Sequence, residues 1–182
     1  MNTARLSSVR GKPALARVLV AGIPGSGKSA YCAWLEREKD FLHLNLDELE
    51  KENGTNLKLN LYDCLKHSAD RFLSAISKFE QPIVLDWGFP TYLLGMVTCL
   101  SANGFAIWWL DGDRAAARES FIRRGTVPVE AFELQMKSIE ERSQEIQKVF
   151  DENVISSVSA GPAYRSPEDI YQRMFSGRSR PT

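Results

Sequence analysis

What this chain is short of narrows its roles before any motif is read. It has no net charge, since 23 basic and 23 acidic residues cancel, so no global positive field gathers polyanions and a nucleic-acid role would have to rest on a local patch. That argues against long DNA or RNA as a partner. No apolar run reaches the roughly eighteen residues that a membrane span needs. The N-terminus carries Arg5, Arg10 and Lys12 without an apolar core and cleavage site behind them, so we expect a cytoplasmic protein with no membrane association. Cys32, Cys64 and Cys99 are odd in number, far apart and outside metal-ligand spacing. They are expected as small buried apolar side chains in a reducing compartment. His43 and His67 have no spacing to another ligand or nucleophile, and each reads as a surface or satisfied structural residue.

What is present suits one α/β domain. A length of 182 residues, 43% apolar and 25% charged, allows a well-buried core and is too short for two domains of typical size. We expect a flexible leader over 1–14, the domain over 15–176 and a tail over 177–182.

Residues 16 to 29 carry the most informative pattern: a short apolar strand, then Gly22-Ile23-Pro24-Gly25-Ser26-Gly27-Lys28-Ser29, then a helical run from Ala30 to Lys39. This is G-x-x-x-x-G-K-[ST] between strand and helix, the context a phosphate-binding P-loop requires. A triphosphate is held by inward backbone N–H groups, and a glycine-rich turn brings the backbone close enough. Gly22 to Ala30 are therefore the expected nucleotide-binding residues. Lys28 would reach the β- and γ-phosphates, Ser29 would ligate Mg²⁺, and the helix N-terminus adds partial positive charge.

Apolar runs predict strands over about 17–21, 41–47, 83–86, 105–110 and 154–158. Helical periodicity predicts helices over about 30–39, 61–79, 91–103, 113–125, 129–152 and 166–175. The alternation implies βαβ units, hence a three-layer α/β sandwich around a five-stranded parallel sheet. Ligands in such sheets gather beyond the carboxyl ends of strands. Asp47 and Asp86 both close strands. Asp86 ends Ile83-Val84-Leu85-Asp86, which resembles a Walker B element and makes it the second expected Mg²⁺ ligand. It also reads as a turn-forming Asp before Trp87-Gly88. Asp47 is the expected acceptor-side carboxylate, with a helix N-cap as its other reading. Arg114, Arg118, Arg123 and Arg124 supply positive charge nearby, or are solvated helix-surface residues.

Together with the P-loop, L-N-L-D ending at Asp47, I-V-L-D-W-G-F at 83–89 and R-E-S-F-I-R-R-G at 118–125 resemble the small P-loop kinases of the AAA-type ATP-binding group. These are similar to gluconate and shikimate kinases, zeta toxins and the polynucleotide kinase domain. The resemblance spans 16 to about 175. It implies a P-loop nucleoside triphosphate hydrolase fold and ATP- and Mg²⁺-dependent transfer of the γ-phosphate to a hydroxyl of a small molecule. It implies that Asp47 activates the acceptor, that Arg118 and Arg123 or Arg124 clamp phosphates, and that 159–162 packs on adenine. No acceptor-binding arginine follows Asp47; Glu48, Glu50 and Glu52 make that segment acidic, which favours a neutral or cationic acceptor. Other readings are a nucleotide-sugar kinase of the zeta-toxin type, a polynucleotide 5′-hydroxyl kinase, or an ATP-hydrolysing switch or assembly subunit. A monomer or homodimer is expected.

Overall fold

The structure, a computed structural model, describes residues 16–49, 65, 68–88, 91–125, 127–158 and 164–175. The expected leader, the tail, residues 61–64, 66 and 67 of the helix expected over 61–79, and the loop 159–162 lie outside the described residues. Of the described stretch 68–79 only Ala69–Ile76 is helical, because Ser68 is extended and its hydroxyl caps the helix by accepting the Arg71 N–H at 3.3 Å.

Strand β1, Arg17–Gly22, is apolar and buried on both faces after its half-buried first residue, Arg17, as a central parallel strand must be. It pairs in parallel with β3, Ile83–Asp86, on one side and β4, Ala106–Asp111, on the other. Strand β2, Leu42–Asn45, joins β3, and β5, Val154–Ser156, joins β4, giving the order β2-β3-β1-β4-β5 with every pairing parallel. The expected fold class is therefore the observed one.

Side chains alternate between two cores. Leu19, Ala21, Leu85, Ile107 and Trp109 face one way. They meet α3 (Ala69–Ile76), α4 (Leu94–Ala102, preceded by a 3₁₀ turn at Thr91–Leu93), α5 (Arg114–Arg124), α6 (Val129–Glu141) and α7 (Ser143–Phe150). Val18, Val20, Val84, Trp108 and Leu110 face the other way, onto α1 (Lys28–Lys39) and α8 (Pro167–Phe175). Burial of each large apolar side chain contributes about 1.5–3 kcal/mol, so the period-2 pattern fixes the layers. Trp87 is wholly buried in the first core.

Several boundaries differ from the sequence expectation, among them β5, which ends at Ser156 instead of 158. Strand β2 stops at Asn45 instead of Asp47, because the Asn45 side-chain oxygen accepts the Asp47 N–H at 3.1 Å and starts the short helix α2, Leu46–Leu49. Asn competes for nearby backbone groups in this way. The expected helix over 129–152 is broken at Arg142, between α6 and α7. The apolar series Phe132, Met136, Ile139, Ile146, Phe150 would place Ser143 on the core face; the break leaves Ser143 exposed. The helix expected from Ala30 starts at Lys28. Elsewhere the local signals hold: Asp113 caps α5 through Ala116 N–H at 2.8 Å, and Ser166 caps α8 through Asp169 N–H at 3.1 Å.

Candidate active site

The register puts three strand ends at one level. Val20 pairs with Asp86 and Asp86 with Asn45, so the loop after β1 opens beside the ends of β3 and β2.

The loop over 22–29 is bent by glycines at positive φ, a conformation that other residues rarely adopt. Gly25 has φ 80, and a Cβ there would stand 2.1 Å from the Ala117 carbonyl oxygen of α5. Gly27 has φ 90 and nothing within 4 Å of where a Cβ would project. It starts α1 in the left-handed region, and no side chain caps the helix and no acidic residue lies in its first turn. The first-turn amides are thus left to an external anion, as at phosphate-binding helix N-termini. Ile23, Pro24 and Ser26 are buried beneath the loop, while Ser29 is half-buried and Ala30 exposed.

Lys28 is buried, and its ammonium donates to the carbonyls of Gly22 at 3.0 Å and Ile23 at 2.8 Å. Burial lowers its pKa; the charges of Asp86 and Asp47 oppose the shift and that of Arg124 adds to it. Lys28 therefore senses three of the residues that the sequence nominated. Of the four nominated arginines, Arg124 is the one whose charge adds to that lowering. Arg118 pairs with Glu133 at 2.7 Å and Arg123 with Glu119 at 3.0 Å, both on exposed surface. Arg114 lies 3.9 Å from Glu140. Arg124 stacks over the Phe121 ring, 5.5 Å from its centroid.

Asp47 accepts a hydrogen bond from the Gly88 N–H at 3.0 Å, and the Gly88 carbonyl accepts one from Gln135 Nε2 at 2.9 Å. The α2 cap is Asn45, so the Asp47 carboxylate is turned across the strand ends. Gln135 and Gly88 were not nominated from sequence, because they join Asp47 from α6 and the turn after β3. Tyr164 was missed for the same reason; its hydroxyl donates to the Gly25 carbonyl at 3.4 Å.

Asp86 is 1% exposed, and among the described residues neither carboxylate oxygen has a hydrogen-bond partner. Such an atom is costly to bury alone. A hard cation with oxygen ligands would satisfy it, with the Ser29 hydroxyl as the companion donor. The residues at this rim fit Mg²⁺. His43 Nε2 lies 3.5 Å from Asp86 Oδ2, and Cys32 is beside them. Burial pushes the Cys32 thiol well up, with the Asp86 charge adding and Lys28 opposing. Ser26 and Ser157 hydroxyls are also buried without a hydrogen-bond partner among the described residues, and Ser157 Oγ would lie 2.9 Å from a Cβ on Gly112.

Solved structures share this architecture. The chain superposes on a gluconokinase from Sinorhizobium meliloti with TM-score 0.55, at 16% identity over 89% of this chain and 90% of the other. A shikimate kinase from Acinetobacter baumannii in complex with shikimate gives TM-score 0.59, 16% identity and coverage of 92% and 97%. The fold is that of the P-loop kinases. A tunicamycin resistance protein from Deinococcus radiodurans shares this fold, with TM-score 0.59, 13% identity and coverage of 91% and 96%. No protein-family model and no curated protein matches the sequence. Among the described residues of this P-loop kinase fold, no helix is long and apolar enough to cross a membrane.

Proposed function

We propose that this chain is an ATP- and Mg²⁺-dependent kinase that transfers the γ-phosphoryl group to a hydroxyl of a small molecule. One observation carries the reading: an acceptor-side carboxylate, Asp47, is held at the Gly88 amide on the rim where the Lys28 loop opens. The overall likeness to a gluconokinase and a shikimate kinase supports the same reading.

In the proposed reaction, Lys28 leaves the Gly22 and Ile23 carbonyls for the β- and γ-phosphates. The loop amides and the N-terminus of α1 hold the phosphate oxygens. Ser29 and Asp86 would hold Mg²⁺, which would supply charge neutralisation at the phosphates. The acceptor oxygen bonds to the γ-phosphorus, the bond from that phosphorus to the bridging oxygen breaks, and Asp47 takes the hydroxyl proton as ADP leaves. Arg124 offsets the charge on the moving group. The acidic segment with Glu48, Glu50 and Glu52 selects a neutral or cationic acceptor.

The test is ATP carrying a label at the γ-position, offered with a pool of hydroxylated metabolites. The proposal requires label in a small-molecule product; release of free phosphate alone would replace the kinase by an ATPase.

A further inference from the structure

We propose that Cys32, His43 and Asp86 form a transition-metal site under the P-loop helix, one that takes Zn²⁺ or a divalent ion of similar softness. Their ligand atoms all lie within 4.8 Å of one another. Tetrahedral zinc, with bonds of about 2.0–2.3 Å, sets sulfur, nitrogen and oxygen ligands roughly 3.3–3.8 Å apart. Small rotations of three side chains would close the cluster to that spacing.

The present contacts do not satisfy these groups. His43 Nε2 and Asp86 Oδ2 are 3.5 Å apart, beyond normal hydrogen-bond length. His43 Nε2 and both Asp86 oxygens are buried without a hydrogen-bond partner among the described residues. One cation would serve all of them and the Cys32 sulfur at once. The donor set of thiolate, imidazole and carboxylate excludes a preference for Mg²⁺, which takes oxygen, and matches zinc with one open position. The His43 side chain is 12% exposed, so the cluster lies one ring away from solvent.

Cys32 follows Lys28 by one helical turn, so the cluster lies directly behind the phosphate loop. Asp86 cannot serve zinc and Mg²⁺ together. Zinc would therefore inhibit phosphoryl transfer, a consequence that rests on the Mg²⁺ role of Asp86 proposed above.

The experiment uses the full chain, metal-free, with Cys64→Ala and Cys99→Ala so that only one thiol remains. Co²⁺ is the spectroscopic probe and Zn²⁺ its competitor. One equivalent of Co²⁺ should give a thiolate-to-cobalt charge-transfer band that Zn²⁺ abolishes. Cys32→Ser should remove the band, and His43→Gln should weaken zinc binding at least about 10- to 100-fold, the loss expected even for groups behind a ligand. Thermal melts check that each variant is folded, and His43→Gln serves if Cys32→Ser is not. A Co²⁺ spectrum without the band, or zinc affinity unchanged in both variants, overturns the site. Zinc binding in a protein that transfers no phosphate leaves the site standing and removes the kinase reading. Transfer that is insensitive to zinc in protein that binds it removes the inhibitory coupling alone.

Discussion

The Asp47 carboxylate accepts the Gly88 amide at 3.0 Å, a contact that ties the helix after β2 to the turn after β3. It fixes one carboxylate oxygen by backbone. Asp47→Asn retains an oxygen able to accept from Gly88 and loses the base. We expect kcat to fall by about 10²–10⁴, with ATP affinity and the melting temperature nearly unchanged. Steady-state kinetics and a thermal melt decide this; a lost melting temperature with intact turnover would make Asp47 structural.

Gly88→Ala probes the same contact from the other side. The added Cβ would stand 3.0 Å from Asp47 Oδ2 and 3.5 Å from Gln135 Nε2, so the carboxylate has to move by a few tenths of an ångström. A small displacement of a positioned group is costly. Turnover should fall by about tenfold while the fold survives, and ATP binding, measured by calorimetry, should stay as in the parent chain.

Gly25 and Gly27 separate stability from binding. Both have positive φ, so alanine at either strains the backbone by about 1–3 kcal/mol. Only at Gly25 does the new Cβ also strike the Ala117 carbonyl, at 2.1 Å. Gly25→Ala should be the more destabilised in denaturant melts, while both variants lose ATP affinity. Equal destabilisation would mean that α5 does not press on the loop.

The four arginines of α5 should not behave alike. Arg124 adds to the depression of the Lys28 pKa, whereas Arg118 and Arg123 sit in exposed ion pairs, which contribute little. Arg124→Ala should lower kcat at least about 100-fold, as for arginines that contact a transferring phosphoryl group. Arg123→Ala should change it by less than about twofold. Kinetics in which Arg118 or Arg123 dominates would place the clamp elsewhere.

Lys28 supplies a pH signature. Its pKa in the folded chain is lowered from 10.5 by burial, so between the folded-state value and 10.5 the unfolded chain binds more protons and stability rises with pH. Burial of the charge is thus a destabilisation present at low pH and relieved as pH climbs through that window. The stability of the parent chain minus that of Lys28→Met should increase with pH there, as measured by urea melts at several pH values. A flat difference would mean that the ammonium is not desolvated.

The backbone plan was legible in the sequence because it rests on local signals. The apolar run over 17–21 needs cover on both faces, and the eight positions from Gly22 to Ser29 have a single well-known geometry. Asp113 and Ser166 cap the helices that they precede. What was not legible depends on tertiary partners. Asp47 had a helix cap as its other reading until Asn45 took that role, and the Gly88 turn that holds Asp47 is itself held by Gln135 from a helix far along the chain. Helical spacing alone could not rank the arginines, since the phase of α5 against the loop decides which one Lys28 senses. The break at Arg142 carries no proline or glycine. Cys32 and His43 read as inert because their partner, Asp86, comes from a third strand.

The most direct measurement follows γ-labelled ATP in parallel incubations of the parent chain and Asp47→Asn with Mg²⁺ and hydroxylated metabolites, each checked for ATP binding. Label should appear in a small-molecule product with the parent and be reduced at least about 100-fold with the variant, while both bind ATP. Label found only in free phosphate, or equal product from both proteins, would contradict the account.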